Sequence, residues 1–131
     1  MILPRHHRST ILAHARSQAP AEACGVLAGR EGRVHRVYVL RNVAATPLTR
    51  FLADPEQQLQ AFEDMEHRGL EMLAVYHSHP SSPAYPSPTD LAMATYPEVA
   101  HVIVSLSGRR PAVRCYTIAG GAVREEPLTT C

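Results

Sequence analysis

The sequence predicts a single α/β domain, residues 1–131, with a mixed β-sheet packed between helices. Three observations carry this. Segments with apolar residues at helical spacing alternate with short, apolar, Val-rich runs. Gly-containing turn signals join the first two strands and the last ones, as antiparallel hairpins require. The chain has 131 residues, 45% of them hydrophobic, which suits one domain with a real core. A (β/α)8 barrel needs about 250 residues and is excluded.

Arg5 to Gln18 reads as a helix stopped by Pro20, with Ile11, Leu12 and Ala15 as its packing face. Ala23 to Gly29 is a short apolar strand. Gly29-Arg30-Glu31-Gly32 signals a turn, and Arg33 to Arg41 returns as the second strand of a hairpin. Ala44 to Ala53 is a loop. A second helix starts at Asp54, with Pro55 in its first helical position and Gln57 three residues after the cap, and stops before Gly69. Leu59, Phe62 and Met65 step along it at helical period and are expected to form its apolar face. Met72 to Tyr76 is a continuous apolar run, consistent with a buried central strand. It leads into His77-Ser78-His79-Pro80 and a Pro/Ser-rich loop ending at Pro86. Ser87-Pro88-Thr89-Asp90 opens a third helix, Leu91 to about Thr95. Val99 to Leu106, Ala112 to Ile118 and Ala122 to Glu126 complete the strands, with turns at Ser107-Gly108 and Gly120-Gly121.

Thirteen basic residues, all Arg, stand against twelve acidic ones, a net charge of +1. The chain lacks the clustered positive charge and the pI above about 9 that mark a nucleic-acid binder. Its three cysteines, Cys24, Cys115 and Cys131, are too scattered for a disulfide framework or a Cys-based zinc site, and they suit a reduced cytoplasm. Residues 1–21 hold no apolar stretch of the kind a secretory signal needs. No run approaches the roughly 18 apolar residues of a membrane span. A cytoplasmic protein without nucleic-acid or membrane partners is the expectation.

The stretch that carries chemistry is His77-Ser78-His79, seven residues, Ser87, two residues, Asp90. Residues i and i+2 of a strand share a side, so both imidazoles can face one point at the strand's end. A carboxylate on the next helix can complete a three-ligand set. Two His and one carboxylate, with a fourth position open to water, is the pattern of a catalytic zinc site, whereas structural sites close all four positions. Taken singly the parts are weak. Two core or surface histidines would give H-x-H, and Ser87-x-x-Asp90 alone reads as a capping box. The joint pattern is far more specific, and capping is compatible with ligation because a helix start is a rigid platform.

With Glu22 upstream, the pattern resembles the JAMM (MPN+) metalloprotease motif, E…H-[S/T]-H-P-x6-S-x-x-D, with every position filled. The resemblance covers most of the chain: Glu22 to Leu27 matches the acid-plus-Gly strand, Ala74-Val75-Tyr76 the approach to the His pair, and Val102 to Leu106 the following strand. It is closest to small stand-alone bacterial members that process sulfur carriers. It implies the MPN fold, similar to that of cytidine deaminases. It further implies Zn2+ held by His77, His79 and Asp90, Glu22 as general base and then acid, and Ser87 as donor to the tetrahedral oxyanion. The implied partner is a small ubiquitin-like or sulfur-carrier protein ending in Gly-Gly, cut at the amide bond after that tail. An extended tail would lie along a sheet edge or loop, with Ser81 to Pro86 as a candidate wall.

The alternative is a non-catalytic MPN-type interaction scaffold, a class that has lost motif residues retained here. A zinc nucleobase deaminase would need H-x-E with P-C-x-x-C, and both are absent. His6, His7, His14, His35, His67 and His101 lack ligand spacing and are expected at the surface or partly buried. Cys24 is expected as a small buried strand residue and Cys131 as a free, mobile terminal thiol. The sequence leaves the oligomeric state open, a homodimer included.

Overall fold

The computed structural model describes residues 1–94 and 97–131. In chain order the elements are β1 (Ile2–Leu3), α1 (Arg5–Gln18), β2 (Cys24–Arg30), β3 (Arg33–Leu40), α2 (Pro55–Arg68), β4 (Glu71–His79), α3 (Pro88–Met93), β5 (Ala100–Ser105), β6 (Ala112–Ala119), β7 (Ala122–Glu126) and β8 (Thr129–Thr130). They build one eight-stranded mixed sheet in the order β7-β6-β5-β4-β2-β3-β1-β8. β4 and β5 are parallel, β1 runs parallel to β3 and β8, and the remaining pairs are antiparallel. The α/β class and the helices on the sheet are as the sequence implied.

The alternation of side chains along the strands sends two sets of residues into two layers. α1 buries Ile11, Leu12 and Ala15 against Leu27, Ala74, Tyr76, Val102 and Val104. α2 covers the other face, with Ala61 and Met65 against Cys24, Val26, Ala28 and Leu40. Tyr76 needs Gly25 beside it: a Cβ there would run into the Tyr76 ring and the Tyr38 carbonyl oxygen. α2 is bounded at both ends, since the Asp54 carboxylate accepts from Glu56 N and Gly69 ends the helix at φ 67°.

Two local expectations are corrected, and a third falls outside the described residues. Leu59 is 57% exposed and Phe62 38%, so α2 does not turn them inward. At about 100° per residue, Leu59 lies about 200° around the helix from Ala61, and the small Ala61 is what lets α2 sit close on the sheet. Cys131 is a free, exposed thiol, but its backbone is fixed: its carbonyl oxygen accepts from Arg5 N at 2.9 Å, beside the β1–β8 pair that the sequence reading lacked. Helix α3 stops at Met93; the predicted end at Thr95 lies outside the described residues.

Candidate metal centre

β4, a central strand of the sheet, runs past its apolar segment and carries both histidines as strand residues, two positions apart. His77 faces Cys24 of β2 on one side and Ile103 of β5 on the other. The period of two sends Ala74, Tyr76 and Ser78 into the α1 layer, so His77 and His79 share the opposite face. Both are buried. Ser87 caps α3, with Pro88 in the first turn, and the reciprocal box holds Asp90 rigidly. Ser87 Oγ accepts from Asp90 N at 3.1 Å, and Asp90 Oδ2 accepts from Ser87 N at 2.9 Å. That same Oδ2 lies 3.1 Å from His77 Nε2 and 3.0 Å from His79 Nε2, and the two nitrogens are 3.1 Å apart. The three atoms form a group that could hold a metal ion.

The His79 ring is oriented from outside. Its Nδ1 is 2.8 Å from the Pro83 carbonyl oxygen, which can only accept, so Nδ1 carries a proton and Nε2 is the nitrogen turned toward His77 and Asp90, the one left to ligate a metal. His77 is held by stacking: Phe51 lies over it with centroids 4.6 Å apart and planes 23° apart. Phe51 also lines an apolar cavity of about 240 Å³ with Leu52, Val75, Met93 and His101.

Glu22 is buried, and its Oε1 has no hydrogen-bond partner among the described residues; His77 Nδ1 is the other such atom. Its backbone is tightly fixed. Glu22 N donates to Pro47 O at 2.8 Å, and Asn42 Nδ2 donates to Glu22 O at 2.9 Å. Next to it, Ala23 N donates to Ser78 Oγ and Ser78 N to Ala23 O, which locks this segment to β4 between the two histidines. Asn42 is saturated: Nδ2 also donates to Arg50 O, while Oδ1 accepts from Ala44 N and Leu52 N. It ties the acid to the loop that carries Phe51.

The charges follow from this burial. Burial pushes the Glu22 carboxyl up to about 7; the Asp90 carboxylate adds to the rise and His79 partly offsets it. Burial alone would raise Asp90, but hydrogen bonds from His77 and His79 outweigh it and leave the carboxyl well below its ordinary range. Burial pulls the His77 imidazole down, against the opposing pull of Asp90, which favours its neutral form.

Residues 4–118 match the family model described as prokaryotic homologs of the JAB domain. The chain belongs to the JAB family. The CysO-cysteine peptidase of Mycobacterium tuberculosis is 42% identical to this JAB chain over 123 residues, 92% of the chain and 84% of the relative. The probable TtuB-protein conjugate cleaving protease of Thermus thermophilus is 44% identical over 110 residues, 84% of the chain and 73% of the relative. A protein of Desulfitobacterium hafniense, known from a solution structure, has a TM-score of 0.90 at 39% identity, covering all of this chain and 93% of its own. The resemblance read from the motif and the family agree.

Within the JAB chain, His77, His79 and Asp90 meet at one point, with Glu22 buried beside them and Ser87 fixed by Asp90. The other histidines lie at the surface or partly buried, as expected; His14 Nδ1 is 2.7 Å from the Tyr76 hydroxyl. Cys24 is buried, and burial pushes its thiol up to about 12, which makes it inert. Phe51, Asn42 and the Pro83 carbonyl are parts of the site that sequence reasoning missed. Only Phe51 gave any signal, as one of two Phe in the chain.

Proposed function

We propose that the chain is a zinc-dependent metallopeptidase of JAMM type, which hydrolyses the amide bond after the C-terminal Gly-Gly of a small ubiquitin-like or sulfur-carrier protein. The observation that carries the reading is the meeting of His77 Nε2, His79 Nε2 and Asp90 Oδ2, within 3.1 Å of one another, beside the buried carboxyl of Glu22. The donor set fits zinc. Tetrahedral zinc with bonds of about 2.0–2.1 Å spaces its ligand atoms roughly 3.3–3.4 Å apart, close to these separations. The set of three also leaves a fourth position for water.

Zinc held there by His77, His79 and Asp90 would polarise the scissile carbonyl and lower the pKa of water toward neutrality. Glu22, whose Oε1 has no competing partner, takes the proton of the attacking water and returns it to the leaving amine. The Ser87 hydroxyl accepts from Asp90 N, which leaves its own proton free to stabilise the oxygen that gains charge. Asp90 holds its ligating oxygen in place through Ser87 N. The buried surroundings strengthen each of these contacts.

The mycobacterial CysO-cysteine peptidase and the Thermus TtuB-protein conjugate cleaving protease, both similar over most of the chain, support a carrier conjugate as substrate. Residues 1–131 are read as one domain because the sheet takes in both β1 and β8, and a cytoplasmic site of action is part of the proposal, matching scattered cysteines that suit a reduced compartment. The carrier's tail lies extended along the loop that follows His79, where small Gly residues fit a narrow approach. The test is a mass-spectrometric assay with a Gly-Gly-cysteine carrier conjugate beside the same conjugate with its last Gly changed to Val. The expected result is cleavage of the first alone. Equal cleavage of both, or preferential cleavage of unfolded protein, overturns the reading.

A further inference from the structure

Three consecutive carbonyls in the loop between β4 and α3 are each held by a side chain from a different strand. Ser105 Oγ, at the end of β5, donates to Ser82 O at 2.6 Å. His79 Nδ1, at the end of β4, donates to Pro83 O at 2.8 Å. The Tyr116 hydroxyl, from β6, donates to Ala84 O. Tyr85 N also donates to Pro83 O, at 2.8 Å, which turns the chain tightly about Ala84. Ala84 is thereby buried with Ile103 and Tyr116.

Both flanking donors are themselves fixed. Ser105 is 3% exposed and Tyr116 2%. The Ser105 oxygen accepts from Ser107 N at 3.2 Å while its proton goes to Ser82 O, so the hydroxyl has one orientation. Leu106 N, the next residue, donates to His79 O at 3.1 Å and fixes the ligand's own backbone. The loop carries three prolines from Pro80 to Pro86 and exposes Ser81, Ser82, Pro83 and Tyr85, so its apolar burial does not explain where Pro83 O points. The carbonyl is held because its two neighbours are.

From this geometry we infer that Ser105 and Tyr116 are positioning residues for the metal centre: by pinning Ser82 O and Ala84 O they set the Pro83 carbonyl, which fixes the tautomer and angle of His79. The inference rests on the reading of His79 as a metal ligand. Outer partners of ligating histidines are worth about 10–100-fold in metal affinity, and donors one bond further out act at the low end of that range.

The test compares Tyr116→Phe, Ser105→Ala and wild type, each stripped of metal. Zn2+ affinity is measured by chelator competition, the Co2+ visible spectrum is recorded, and the metal-free proteins are melted. Tyr76→Phe serves as a control, because it loses a half-buried hydroxyl contact to His14 on the opposite face of the same strand. The expected result is zinc affinity roughly tenfold weaker in Tyr116→Phe and Ser105→Ala, with an altered cobalt spectrum, and unchanged affinity in Tyr76→Phe. Wild-type affinity and spectrum in both loop variants overturn the inference while the metal reading stands. Equal weakening in Tyr76→Phe also overturns it, by making general destabilisation the cause. A wild type that binds neither metal overturns the metal reading and this inference together. If Tyr116→Phe does not fold, Ser105→Ala decides, with the His79 tautomer of the metal-free protein read by ¹⁵N NMR: retention of the Nδ1–H form counts against the inference.

Discussion

Ser87 and Asp90 hold each other by two hydrogen bonds, Asp90 N to Ser87 Oγ at 3.1 Å and Ser87 N to Asp90 Oδ2 at 2.9 Å, and that Oδ2 is the atom facing both imidazoles. The helix cap and the metal-facing carboxylate are one device. Ser87→Ala removes one bond of the box but leaves Ser87 N in place to hold Oδ2. The expected outcome is a stability loss of about 1 kcal/mol from the missing cap, unchanged zinc content, and turnover lower by about 10²–10³, the scale of a lost oxyanion donor. Metal analysis, thermal melts and turnover of the purified variant check all three. Normal turnover removes Ser87 from the chemistry and leaves it as a cap.

His77→Ala and Asp90→Ala each break the three-atom group. Wild-type protein is expected to hold about one zinc per chain, and both variants to lose most of it. Ligand that binds only the folded state stabilises it by mass action, so saturating zinc should raise the melting temperature of wild type and leave both variants unmoved. Zinc retained in the two variants defeats the ligand assignment.

Glu22→Gln keeps the shape of a buried side chain and removes the capacity to take a proton. Zinc content should stay near wild type while turnover falls by at least about 10², the scale of general-base catalysis. Retained turnover with retained zinc would take Glu22 out of the proton transfer.

The fold class was legible because its signals are local and redundant. Ile11, Leu12 and Ala15 mark the buried face of α1, and the Gly-containing turns after Gly29 and Gly120 mark two hairpins. The α2 face misled, because helical period gives a spacing and not a direction. Ala61, too small to stand out in the sequence, decides which side meets the sheet. The two-residue strands β1 and β8 carry too few residues for any alternation to show. At the candidate site, the His-x-His and Ser-x-x-Asp spacings were readable because strand and helix-cap geometry fix them locally. Phe51, Asn42 and the Pro83 carbonyl were not readable. Their roles arise from contacts across the fold, and in the case of Pro83 from the backbone, which no residue type announces.

The fold holds His14 away from its charged form, which makes stability depend on pH. Burial lowers its pKa below 6.5, and Nδ1 of the ring lies 2.7 Å from the Tyr76 hydroxyl, within hydrogen-bond reach. As pH falls through 6.5 the unfolded chain takes up the proton first, so the contribution of His14 is complete above that pH and is lost below it, down to the folded-state value. Denaturant unfolding of metal-free protein at a series of pH values should show this loss. In His14→Gln the part of the slope below 6.5 due to this residue should vanish; an identical pH profile in the variant rules His14 out as its source.

Asn42 links the acid to the far wall of the site. Its amide makes four hydrogen bonds, to Glu22 O and Arg50 O as donor and from Ala44 N and Leu52 N as acceptor. Asn42→Asp keeps both accepting contacts and loses both donated ones, placing an acceptor against the carbonyls of Glu22 and Arg50. At about 1 kcal/mol for each typical hydrogen bond, and somewhat less where water can replace it, the expected destabilisation is about 1–3 kcal/mol. The damage should fall on the position of Glu22 and on the loop bearing Phe51, while the box of Ser87 and Asp90 and the His79–Pro83 contact stay whole. Turnover is therefore expected to fall by about tenfold or more, since a small misplacement of a catalytic group is costly, with zinc affinity much less affected. Parallel measurement of zinc affinity and of turnover, at a temperature where the variant remains folded, separates the two effects. Equal losses in both would mean that Asn42 supports the metal group itself and not the acid.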